Sequence, residues 1–103
     1  MAVRAKPVPE GLHTATPYMI VKGVKDALGF YEQAFGAVEM TEPTTGPEGD
    51  VQHAHLKLGD SAFMLTAEYP DFPNHLGPLA LGGSPVHIYL YVDDVDAWFR
   101  RAI

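Results

Sequence analysis

Apolar and polar side chains alternate from Thr14 to Val21, with Thr14, Thr16, Tyr18 and Ile20 on one face and Ala15, Pro17, Met19 and Val21 on the other. A period of two predicts a strand, and Pro17, having no N–H for a ladder, predicts an edge or irregular position there. The period then changes. Ala27, Phe30, Tyr31, Ala34 and Phe35 recur at helical spacing, and Gly36 follows as a residue able to close the helix in a left-handed conformation. A short second strand is predicted over Val38 to Glu42, and Pro43 to Asp50 carries turn chemistry. Alternation returns from Val51 to Leu58, with Ala54, Leu56 and Leu58 on one side and His53, His55 and Lys57 on the other. Gly59-Asp60 predicts a tight hairpin into a fourth strand, Ser61 to Thr66.

Residues 67–85 show no period and read as a linker, whereas residues 1–13, with Pro7, Pro9 and Gly11, read as an extended arm. The opening pattern then recurs. His87-Ile88-Tyr89-Leu90-Tyr91-Val92 repeats the alternation of the first strand, and Val95, Trp98, Phe99 and Ala102 share one helical face, with Asp93 or Asp94 as N-cap. In this overlay Tyr18 falls on Tyr89, Val21 on Val92 and Leu28 on Phe99. The chain thus divides into an arm (1–13), a strand–helix–three-strand module (14–66), a linker (67–85) and the first strand and helix of a second module (86–103). The second module is expected to be truncated. Its unpaired strand and half-covered helix predict a homodimer that pairs Val86–Val92 with a partner.

Composition narrows the function classes. Thirteen acids against seven bases give a formal charge of −6, which argues against a nucleic-acid footprint and against a polybasic membrane contact. No stretch reaches the roughly 20 apolar residues of a membrane span. The lack of cysteine excludes disulfides, thiol nucleophiles and Cys-type zinc sites. With no signal-peptide pattern, a soluble cytoplasmic protein is expected.

The run Thr16-Pro17-Tyr18-Met19-Ile20-Val21-Lys22-Gly23, the helix end Phe30-Tyr31 through Ala34-Phe35-Gly36-Ala37, the His53 strand ending Leu58-Gly59-Asp60-Ser61, and Gly82-Gly83-Ser84-Pro85-Val86-His87 through Val92-Asp93-Asp94-Val95-Asp96-Ala97 together resemble the vicinal oxygen chelate superfamily. This superfamily includes glyoxalase I, bleomycin-resistance proteins and extradiol dioxygenases, and the likeness is greatest to its PhnB-type, glyoxalase-like branch. The resemblance implies an α+β fold of βαβββ modules (the glyoxalase/bleomycin resistance fold) curled around a shared cavity. In metal-dependent members it also implies one divalent ion (Zn, Ni, Fe or Mn) held by strand residues of both modules. Carried over by position, the ligand sites present here fall on Thr16, Met64 and His87, and only His87 is a good ligand.

The resemblance makes His87, which shares a strand face with Tyr89 and Tyr91 opposite Ile88, Leu90 and Val92, the candidate metal ligand. The expected pocket lining is Thr16, Tyr18, His53, His55, Met64, Tyr89 and Tyr91: tyrosines to stack on a flat molecule, imidazoles for polar contact and a soft thioether for an apolar surface. His13 and His75 fall in the arm and the linker and are assigned no role. Three functional readings stay open. One is a metal-dependent lyase, isomerase or dioxygenase; another is a metal-free protein that binds or sequesters a small molecule; the third is an inactive fragment of a longer protein.

Overall fold

A computed structural model describes residues 7–69, 71–72 and 74–103. The reading of residues 1–6 as arm, and of Pro70 and Pro73 as linker, lies outside these residues. The elements run β1 (Tyr18–Val21), α1 (Val24–Phe35), β2 (Val38–Glu39), β3 (Thr44–Thr45), β4 (Val51–Leu58), β5 (Ser61–Ala67), α2 (Pro78–Leu81) and α3 (Val95–Ala102). This is the α+β, βαβββ arrangement expected from the sequence.

Sheet order is β1-β5-β4-β2, with β3 also paired to β4. β1 runs parallel to β5, and every other pairing is antiparallel. β1 is an edge strand, as Pro17 foretold. It is also shorter than the alternation predicted, beginning at Tyr18 rather than Thr14; the Pro17 carbonyl still accepts from the Met64 N–H at 2.9 Å. β2 and β3 act as two halves of one strand against β4. Val38 faces Lys57 and Glu39 faces Leu56 before the chain leaves the ladder, and Thr44 then faces His53. Pro43, lacking an N–H, lies in the break. The second strand therefore runs on to Thr45, and the turn begins only at Gly46, whose N–H donates to the Asp50 carbonyl at 2.7 Å.

α1 lies over one face of the sheet. Val24, Leu28, Ala37, Ala54, Leu56, Phe63 and Leu65 form the core, and Met19, Val21 and Leu58 pack against it from partly buried positions. The expected inward face of the helix is rotated slightly. Leu28 is buried, whereas Phe30 is exposed and meets Tyr31 and Phe35 edge-on at 5.7 Å. Burial pushes the Tyr31 phenol above its ordinary value. Gly36, at φ 69°, ends α1 by giving its N–H to the Glu32 carbonyl, while Ala37 N–H reaches back to Tyr31.

α3 begins as predicted, with the Asp94 carboxylate accepting from the Ala97 N–H at 3.1 Å. Trp98 stacks on Phe35 at 5.8 Å, and Arg101 donates to the Gln33 carbonyl near the C-terminal end of α1, where a cation is favoured. The Val86–Val92 segment forms no ladder with any described strand, the unpaired state the sequence predicts for it within one chain. One expectation needs correction: the 67–85 segment is not wholly irregular, since it contains α2, capped by Gly82 at φ 85°. No described helix is long and apolar enough to cross a membrane.

Candidate functional site

Strand alternation sends Ala54 and Leu56 of β4, Phe63 and Leu65 of β5, and Met19 and Val21 of β1 toward α1. Their neighbours point to the other face. Register fixes which of those meet. His55 pairs with Met64, and Met64 with Tyr18, so the three stand in one row across β4, β5 and β1. His53 pairs with Thr66, which pairs with Ile20 in the next row. The Tyr18 and His53 rings lean together, with centroids 6.1 Å apart. Four predicted lining residues, Tyr18, His53, His55 and Met64, thus share one surface.

A loop closes this surface at the free edge of β1. Beyond β5, the Glu68 carboxylate accepts from the Gly77 N–H at 2.9 Å, and the Tyr69 N–H donates to the His75 carbonyl at 3.1 Å. Asn74 takes φ 64°, a conformation that asparagine tolerates better than most residues. The closure stacks His75 on Tyr69 at 4.6 Å and brings it edge-on to Tyr18 at 6.5 Å. His75, assigned no role from sequence, is therefore a site residue. The sequence signal for it is Glu68-Tyr69, with an acceptor and a ring at one end of the proline-rich stretch and His75 and Gly77 at the other.

Two polar atoms of this site stand out. The Nε2 atoms of His55 and of His75 are both buried without a hydrogen-bond partner. Buried polar groups are nearly always paired, and leaving one unpaired costs on the order of 1–3 kcal/mol.

The other candidates lie elsewhere. Thr16 precedes β1, and its hydroxyl donates to the His13 carbonyl at 3.0 Å, folding back toward the arm. Tyr89 and Tyr91, with rings 5.1 Å apart, do not join Tyr18. They line a separate cleft of about 920 Å³ on the helix side of the sheet, with Met19, Phe35, Phe63 and Trp98. His87 lines neither surface and is exposed. The reason is the missing ladder: no described strand holds Val86–Val92 where its His/Tyr face could meet the Tyr18 face.

A divalent metal implied by the resemblance does not fit these residues. Thr16 spends its hydroxyl on a carbonyl, Met64 offers a thioether unsuited to a hard ion, and His87 stands exposed. Among the described residues, no group of three His, Asp or Glu side chains converges on a point that could hold an ion. No chemical step is therefore routed through a metal.

A helix-backed βαβββ sheet hosts many chemistries and by itself fixes none. The chain belongs to the Glyoxalase/Bleomycin resistance protein/Dioxygenase superfamily, whose profile matches residues 11–103. It is 36% identical over 105 aligned residues to uncharacterized proteins of Mycobacterium bovis and Mycobacterium tuberculosis, covering 100% of this chain but 64% and 58% of theirs. It therefore spans less than two thirds of those relatives. The X-ray structure of a gene product from Arabidopsis thaliana superposes with a TM-score of 0.66 at 26% identity, over 88% of this chain and 70% of that one.

Proposed function

We propose that this chain binds a small, partly aromatic molecule on the sheet face opposite α1, without a resident metal. The observation that supports it is the pair of partnerless buried imidazole nitrogens, His55 Nε2 and His75 Nε2, beside the Tyr18 ring and the Met64 thioether. Aromatic walls supply apolar contact and stacking, and the two nitrogens supply orientation. The metal-dependent lyase, isomerase or dioxygenase reading lacks a donor set among the described residues. Titration with small aromatic compounds, followed by aromatic NMR, is expected to move the ring signals of Tyr18, His53, His55 and His75 while leaving the Trp98 indole in place. Tyr18→Ala is expected to weaken binding about tenfold, the equivalent of one good aromatic contact. Shifts confined to Trp98, Tyr89 and Tyr91 would place binding in the other cleft and end this reading.

The partner expected from sequence, a second copy of the chain, has its own support. Val86, Ile88, Tyr89 and Tyr91 are largely exposed on a segment without ladder partners, and Phe99 adds to the apolar surface. An unpaired, apolar, strand-patterned segment favours association. Sedimentation equilibrium at micromolar concentration is expected to report a dimer, with Ile88→Asp returning a monomer. A wild-type monomer under those conditions would remove the proposal.

A further inference from the structure

We infer that two copies of this chain pack α3 against α3, antiparallel across a two-fold axis, with Asp96 of each copy beside Arg100 of the other. The inference rests on the dimer reading above and adds a second contact surface to the Val86–Val92 segment.

α3 carries apolar side chains on two sides. Toward α1, Trp98 stacks on Phe35 and Ala102 is partly covered. Away from it, Val95, Phe99 and Ile103 recur at every fourth residue and so form one row along the helix. Val95 is 68% exposed, Phe99 65% and Ile103 85%. A helix with α1 as its sole neighbour would keep its outer side polar. An outer row of large apolar groups marks a contact surface instead.

The charges beside that row select the occupant. Acids gather at the start of α3 (Asp93, Asp94, Asp96) and bases at its end (Arg100, Arg101). Asp94 is spent on the Ala97 N–H, and Arg101 on the Gln33 carbonyl. Asp96 and Arg100 are exposed, each one residue on from Val95 and Phe99, so they flank the apolar row on the same side. About 6 Å of helix rise separates them. A face with an acid at one end and a base at the other complements its own copy only when that copy is reversed. A two-fold axis level with Trp98 reverses it, forms the Asp96–Arg100 contact twice and brings Phe99 close to its own copy. Parallel packing would set acid on acid and base on base. Identical chains most often pair through such a two-fold, self-complementary patch. At a net charge of −6 two copies repel at long range, so opposite charges within the contact offset a real cost. A partner of uniform charge would match one end of the row and clash with the other.

An exposed ion pair is worth little by itself, so the test inverts charge rather than removing it. Asp96→Arg leaves only cations flanking the row, and Arg100→Asp only acids. Each variant alone is expected to raise the dimer dissociation constant about tenfold or more, read by sedimentation equilibrium at low ionic strength. Mixed one to one, the two variants are expected to regain an affinity close to wild type. Native mass spectrometry of the mixture should then show the heterodimer in excess over both homodimers. Circular dichroism of each variant alone reports whether the fold persists; loss of helix stability predicts no rescue on mixing. Single variants that dimerise like wild type, or a mixture no tighter than either, overturn the α3 contact. If Ile88→Asp still returns a monomer in that case, the dimer reading stands on Val86–Val92. A wild-type monomer overturns both and leaves the outer row of α3 to a different protein.

Discussion

Leu56→Ala is expected to lower unfolding stability by about 3–5 kcal/mol, with the midpoint of urea unfolding falling and its slope unchanged. Leu56 is 0% exposed at the centre of β4, pairs with Phe63, and belongs to the cluster that joins α1 to the sheet. Truncating it removes apolar contact and leaves a void that α1 cannot close without tilting away from its other anchors, Val24 and Leu28. A domain of this size has a total stability of about 5–15 kcal/mol, so the variant should lose a large fraction of it. Leu58→Ala is the matched control. Leu58 is on the same face but only partly buried near the hairpin, and its loss should be clearly smaller. Equal losses at the two positions, or a loss below about 1 kcal/mol at Leu56, would mean that the core is centred elsewhere.

The parts of this fold legible in the sequence are those whose cause is local. α1 is announced by its apolar spacing and by Gly36, since a left-handed closing residue favours glycine. The β4–β5 hairpin is announced by two alternating runs around Gly59, which takes φ 61° at the first central position of the turn. Alternation puts His53 and His55 on one face in advance, whereas only the strand register brings Tyr18 and Met64 beside them. The failures have non-local causes. β3 was hidden because Thr44 and Thr45 follow Pro43 in a stretch of turn-forming residues, and only β4 beside them makes them a strand. Val86–Val92 has the alternation but no ladder with a described strand, as a strand without a neighbouring backbone must. Thr16 shares the strand parity of Tyr18, but β1 starts after Pro17, leaving the Thr16 hydroxyl free to cap the arm. His75 was overlooked because nothing in its immediate neighbours marks it. Its position depends on Glu68 and Gly77 closing a loop, and on Gly77 fitting against a strand far away in sequence.

Gly77→Ala is the substitution expected to act most strongly on the site, since that fit allows no side chain. A Cβ at Gly77 would lie 2.7 Å from the Ile20 carbonyl oxygen and 3.3 Å from the Ile20 carbonyl carbon and the Val21 Cα, all backbone atoms of β1. The obstacle is purely steric. Gly77 has φ −87° and ψ 176°, extended backbone that alanine adopts freely, so any loss reports the closeness of the approach. Because β1 is held in the sheet, the loop must move. Its N–H then leaves the Glu68 carboxylate, and the displacement passes to Tyr69 and His75, which the same loop positions. The expected cost is about 1–3 kcal/mol of stability, as for other overpacked sites. The His75 ring signal should shift away from its Tyr18-shielded position. Glu68→Gln separates the two contributions, because a glutamine carbonyl still accepts from the Gly77 N–H and should keep the His75 ring signal in place. An unchanged His75 signal in Gly77→Ala would mean that the loop accommodates a methyl group at the β1 edge, and that His75 is held against Tyr18 by its own stacking on Tyr69 rather than by the closure at Gly77.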